Sequence, residues 1–75
     1  MGLIKNNLLG KIPKKIDNLI NLEILWLYNN RLSSEIPKQI GNLEKLEYLN
    51  ISKNQFSGEI PESFKNLTRL KVFRY

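Results

Sequence analysis

The chain has 75 residues, no Cys, no His and a net charge of +5. That length allows one small domain, and the missing residue types exclude disulfides, zinc sites built on thiolate or imidazole, and catalysis by histidine or a thiolate. The 12 Lys and Arg are scattered, with only Lys14 and Lys15 adjacent, so the surplus reads as solvated surface with no nucleic-acid partner.

In chain order, Met1 and Leu3 stand two apart, the spacing of one strand face. Asn6 marks the departure from that strand, Leu8 returns inward, Gly10 sits where a positive φ is expected, and Ile12-Pro13 ends the pairing. Ile16, Leu19 and Leu22 follow at three-residue spacing, which suits a 3₁₀ helix or tight turns. The series then restarts with Leu25, Leu27, Asn30 and Leu32. Ser34 replaces the glycine there, which implies a local adjustment or a position that accepts right-handed helical or extended geometry. Ile36-Pro37, Ile40, Leu43 and Leu46 complete the second pass. Leu49, Ile51, Asn54, Phe56, Gly58, Ile60-Pro61, Phe64, Leu67 and Leu70 make the third, and Phe73 with Tyr75 opens a fourth. All three prolines fall in one column, 24 residues apart. The longest apolar run, Ile24-Leu25-Trp26-Leu27-Tyr28, falls far short of a membrane span, and the polar residues close behind Met1 leave no secretion signal visible.

Self-similarity at this period means a solenoid. Each unit is one strand plus a return segment that cannot cover its own apolar side, so it must stack on its neighbours. The expected fold is an α/β solenoid with repeats 1–24, 25–48 and 49–72 and the start of a fourth at 73–75. Its ends are uncapped, which predicts marginal stability alone or self-association through the ends. Asn6, Asn30 and Asn54 are read as a buried ladder, because an amide both donates and accepts where the backbone leaves the strand. Asn18, Asn42 and Asn66 form a second Asn column. Asn50-Ile51-Ser52 and Asn66-Leu67-Thr68 are N-glycosylation sequons.

The string Leu22-Glu23-Ile24-Leu25-Trp26-Leu27-Tyr28-Asn29-Asn30-Arg31-Leu32-Ser33-Ser34-Glu35-Ile36-Pro37 resembles the plant-specific leucine-rich repeat, L-x-x-L-x-L-x-x-N-x-L-S/T-G-x-I-P. Leu46 to Pro61 follows the same pattern including Ser57-Gly58, and Met1 to Pro13 follows it apart from Met in the first apolar place. The resemblance implies a leucine-rich-repeat solenoid with a parallel concave sheet and a 3₁₀/turn convex side. It also implies extracellular or cell-surface protein recognition, as in receptor-like kinases, receptor-like proteins and inhibitors of cell-wall polygalacturonases. The chain reads as an internal slice of such a protein or a truncated gene product, with membrane attachment only through parts outside it.

The motif's variable positions project from the concave sheet. The partner-binding candidates are Glu23, Trp26 and Tyr28 in the second repeat, Glu47, Tyr48, Asn50 and Ser52 in the third, and Arg74 in the fourth. Ile4 and Val72 hold equivalent positions. Trp, Tyr and Arg are the types enriched in interface hot spots, although neighbouring strands, about 4.8 Å apart, also let these side chains pack on one another. No cofactor, metal or enzyme activity is expected: the acids Glu23 and Glu47, like Glu35 and Glu59, repeat one motif position. The expected function is binding of a protein or peptide ligand by a plant receptor-like ectodomain in signalling or defence. The alternatives are a soluble inhibitor-type repeat protein docking on an enzyme such as polygalacturonase, and polyanion binding through net charge.

Overall fold

The computed structural model describes residues 2–5 and 9–75. In chain order these form strands β1 (Gly2–Ile4) and β2 (Leu9–Gly10), a 3₁₀ helix (Lys14–Asn18), strands β3 (Ile24–Trp26) and β4 (Arg31–Glu35), a second 3₁₀ helix (Lys38–Asn42), strands β5 (Tyr48–Asn50) and β6 (Gln55–Ser57), a third 3₁₀ helix (Glu62–Asn66) and strand β7 (Val72–Arg74). One sheet is parallel and four-stranded, in the order β1-β3-β5-β7; a second joins β2, β4 and β6, also in parallel. This is the expected solenoid, with one long sheet and a 3₁₀ side opposite.

The three-residue apolar period has a direct cause. Each proline holds an extended backbone, φ −65°, −69° and −59° at Pro13, Pro37 and Pro61, immediately before a 3₁₀ helix. Its carbonyl then accepts the amide of Ile16, Ile40 or Phe64 at 3.1–3.2 Å. The next links run Ile16 to Leu19 to Leu22, Ile40 to Leu43 to Leu46, and Phe64 to Leu67 to Leu70, each carbonyl accepting from the residue three ahead at 3.0–3.1 Å. A chain of i→i+3 bonds turns the same edge inward at every third residue, and the apolar side chains stand on that edge.

Leu22, Leu25, Ile40, Leu43, Leu46 and Leu49 are fully buried, and the core runs unbroken from Ile12 to Leu67. It loosens towards the last coil, where Phe56, Ile60, Phe64, Leu70 and Phe73 are only half-buried. Asn30, buried, and Asn54, half-buried, each bond backbone carbonyls of their own and the preceding coil. The Asn30 amide nitrogen donates to the carbonyls of Lys5, Leu27 and Tyr28 at 3.0, 2.7 and 3.2 Å. That of Asn54 donates to Leu27, Ile51 and Ser52 at 2.8, 3.0 and 3.1 Å, while its oxygen accepts the Leu32 amide at 3.1 Å. Asn6, with Met1 and Leu8, lies outside the described residues.

Three features depart from the sequence reading. The second sheet was not foreseen: past the left-handed residues Asn29 and Lys53 (φ 58° and 56°) the chain pairs again where only a turn was expected. Ser34 keeps a left-handed backbone, φ 65°, like Gly10 and Gly58 at 89° and 79°; the serine adopts the glycine geometry, neither right-handed helical nor extended. Finally, Leu3 lies opposite Leu25, not Leu27, two residues off the 24-residue frame, whereas Leu25, Leu49 and Phe73 keep it. The Lys5 amide accordingly bonds the Trp26 carbonyl at 3.1 Å, taking the place that Leu27 and Ile51 hold in the next two coils. A two-residue slip preserves side-chain parity, so Leu3 still points inward.

Candidate partner-binding face

The four-stranded sheet buries the row Leu3, Leu25, Leu49 and Phe73 and turns the alternate residues outward. Two outward rows result. One is Gly2, Ile24, Tyr48 and Val72; the other is Ile4, Trp26, Asn50 and Arg74. Of the residues expected to bind, Trp26, Asn50 and Arg74 thus share one register line, with Tyr48 on the parallel line. Tyr28 and Ser52 continue beyond the strand ends, and Glu23 and Glu47 precede them. Apolar exposure gathers on this face: Ile4 is 56% exposed, Val72 40%, Trp26 38% and Tyr28 36%. Ile4 and Val72 therefore belong to the candidate surface although neither stood among the binding candidates; their place in the variable columns was the available signal.

Several of these side chains are engaged laterally. The Lys71 ammonium lies 3.4 Å from the Glu47 carboxylate and 6.0 Å from the centre of the Tyr48 ring, so Tyr48 packs under a cation and is half-buried. Asn50 accepts from both the Ser52 amide (3.1 Å) and the Ser52 hydroxyl (2.6 Å) through Oδ1. The backbone of these residues is fixed as well: the Leu27 amide donates to the Asn50 carbonyl at 2.8 Å, and the Asn29 amide to that of Ser52 at 3.0 Å. Glu23 and Glu47 use their carbonyls to start the next strand, accepting Tyr48 and Val72 at 3.0 and 3.2 Å.

Arg74 is exposed and makes no ion pair among the described residues. The row Ile4, Trp26, Asn50 and Arg74 is therefore graded from apolar through aromatic and polar to cationic, while Tyr48 and Val72 keep the parallel row aromatic and apolar. Such a surface offers shape, aromatic area and an exposed guanidinium. Among the described residues there is no group of acids able to hold a metal ion, and no helix is long and apolar enough to cross a membrane.

A family model described as leucine-rich repeats (2 copies) matches residues 20–65. No curated protein matches the sequence. Among solved structures, the BIR2 ectodomain of Arabidopsis thaliana superposes with a TM-score of 0.89 at 40% identity, over 96% of this chain and 38% of that one. The ectodomain of the plant membrane receptor kinase GASSHO1/SCHENGEN3 of Arabidopsis thaliana, in complex with CASPARIAN STRIP INTEGRITY FACTOR 2, gives 0.85 at 39%, over 95% of this chain and 10% of that one. The plant peptide hormone receptor RGFR1, in complex with RGF2, gives 0.89 at 34%, over 97% and 12%. The chain thus spans well under half the length of each of these receptors.

Proposed function

The chain belongs to the leucine-rich repeat family, and on that premise we propose that it presents a protein- or peptide-binding face of an extracellular plant receptor-like ectodomain acting in signalling or defence. The observation that carries this reading is the outward row Ile4, Trp26, Asn50 and Arg74, laid across four parallel strands with its aromatic and apolar members exposed. A partner segment crossing the strands meets Trp26 and Tyr28 as area to bury, Asn50 and Ser52 as polar contacts, and Arg74 as a charged terminus to the track. Glu23, Glu47 and Tyr48 border it. On a division into repeats 1–24, 25–48 and 49–72, with 73–75 beginning another, each boundary falls within a strand of this surface, β3, β5 or β7, and the chain carries no catalytic role of its own. Likeness to receptors solved with bound partners supports the class of function.

The test is a binding screen of the chain against a library of plant secreted peptides. A binder found there should lose at least about tenfold in affinity, roughly 1.4 kcal/mol, with Trp26→Ala, and lose less with Lys65→Ala on the opposite side. Unchanged affinity in both Trp26→Ala and Tyr28→Ala would remove this face from the binding site.

A further inference from the structure

The two sequons occupy different physical settings. Asn50 and Ser52 are half-buried, and Ile51 between them is 2% exposed. The Asn50 carboxamide is pinned to Ser52 through two hydrogen bonds, in register between Trp26 and Arg74. A glycan there would stand on the outward face between Trp26 and Arg74 and would require the carboxamide to leave both Ser52 bonds.

Asn66 stands at the end of the third 3₁₀ helix and is exposed, as is Thr68. Leu67 is 5% exposed, with φ −82° and ψ 66°, and the Thr68 amide donates to the Asn66 carbonyl at 2.9 Å. This is an inverse γ-turn, which throws Asn66 and Thr68 outward while Leu67 anchors the sequon in the core. The preceding coil explains why the Asn66 side-chain amide has no hydrogen-bond partner among the described residues. There Asn42, in the same column, donates to the Asp17 carboxylate at 3.2 Å. One coil on, the place of Asp17 is held by Gly41, which has no side-chain acceptor. The turn opens on a groove of about 790 Å³ bordered by Asn42, Glu44, Lys45, Lys65, Thr68 and Arg69, away from the outward rows of the main sheet.

We infer that Asn66 is an N-glycan acceptor and Asn50 is not, so that the sugar covers the groove between the segments that end the second and third 3₁₀ helices and leaves the Trp26 row open. In the transfer, Asn66 Nδ2 bonds to the anomeric carbon of an oligosaccharide carried on a polyprenyl diphosphate. The bond from that carbon to the diphosphate oxygen breaks, its electron pair leaves with the diphosphate, and the nitrogen's proton passes to the transferase base. The inference rests on the extracellular reading only in that the chain must meet such a donor. Acceptor choice is therefore tested in a borrowed secretory pathway, where it stands or falls whatever the natural location.

The chain is produced in mammalian cells behind a cleavable secretion signal, and the intact mass of secreted and cell-retained protein is read before and after peptide-N-glycosidase. One glycan is expected on the parent chain, lost completely in Asn66→Gln and in Thr68→Ala, and kept in Asn50→Gln and Ser52→Ala. A parent chain with no glycan or with two, or a glycan that survives Asn66→Gln or disappears with Asn50→Gln, overturns the assignment.

Discussion

Ser34 holds a left-handed backbone at φ 65° in a column where Gly10 and Gly58 adopt the same geometry. An L-residue there costs about 1–2 kcal/mol relative to a right-handed conformation, and glycine avoids that cost while adding unfolded-chain entropy. The exposed Ser34 side chain has little packing to lose. Ser34→Gly should therefore raise stability by about 0.5 kcal/mol, and Ser34→Val, which adds β-branching, should lower it by about 1–2 kcal/mol; urea midpoints measure both. The Asn54 ladder position makes a sharper demand. Its nitrogen serves three carbonyls at 2.8–3.1 Å, so Asn54→Asp would set a carboxylate against three oxygens. At neutral pH the loss should be on the order of 3 kcal/mol. The carboxyl introduced has a folded-state pKa raised above the unfolded value of about 3.9. Stability is thus recovered in part at low pH and lost again as pH rises through that raised value. Urea midpoints of parent and variant between pH 3 and pH 7 test the sign, and a gap independent of pH contradicts it.

At the scale of elements, the second and third 3₁₀ helices touch through Gly41. A Cβ at that position would collide with the Ser63 side chain and lie 2.6 Å from the Ser63 carbonyl oxygen, while the Ser63 hydroxyl is committed to the Lys38 carbonyl at 2.7 Å. Gly41→Ala should cost about 1–3 kcal/mol by forcing the two helices apart. Adding Ser63→Gly should return only part of it, because the backbone carbonyl remains; thermal unfolding of the two variants measures the difference. Much of this level was legible in the chain. The three-residue period and the proline column specify the 3₁₀ side because the bonds that build it span three residues. The second sheet was not legible: Leu9–Gly10, Arg31–Glu35 and Gln55–Ser57 are short, largely polar, and follow the Asn column, so their local chemistry is that of a turn. The slip of β1 was hidden for another reason, since a shift of two residues preserves the alternation and leaves Leu3 facing inward. On the candidate face the columns identify which residues project, but not their lateral partners. Lys71 reaching Glu47 depends on strand spacing that the sequence does not display, whereas Ser52 reaching Asn50 is a local contact two residues apart.

Across the whole molecule, stability is a sum of coils and of the contacts between them. The middle coil is closed on both sides, and Leu25, Leu43, Leu46 and Leu49 are fully buried. The last coil is not. Its core is built from aromatics, with Phe64 and Phe73 edge-on at 5.5 Å and Phe73 stacked on Tyr75 at 4.9 Å, and Tyr75 is 77% exposed. Strands β1 and β7 are the two open edges of the main sheet, and open parallel edges over an apolar end invite association. A duplicate of residues 49–72 inserted after Val72 would place one more closed coil between the ends without changing either end. Because an internal coil gains two interfaces and adds no new exposed end, the insertion should raise the unfolding midpoint and steepen the transition in proportion to added buried area. Any self-association of the 75-residue chain should persist unaltered, since both edges are retained. Urea unfolding with sedimentation at two concentrations separates these effects: a midpoint that fails to rise would mean that the coils do not share one cooperative core.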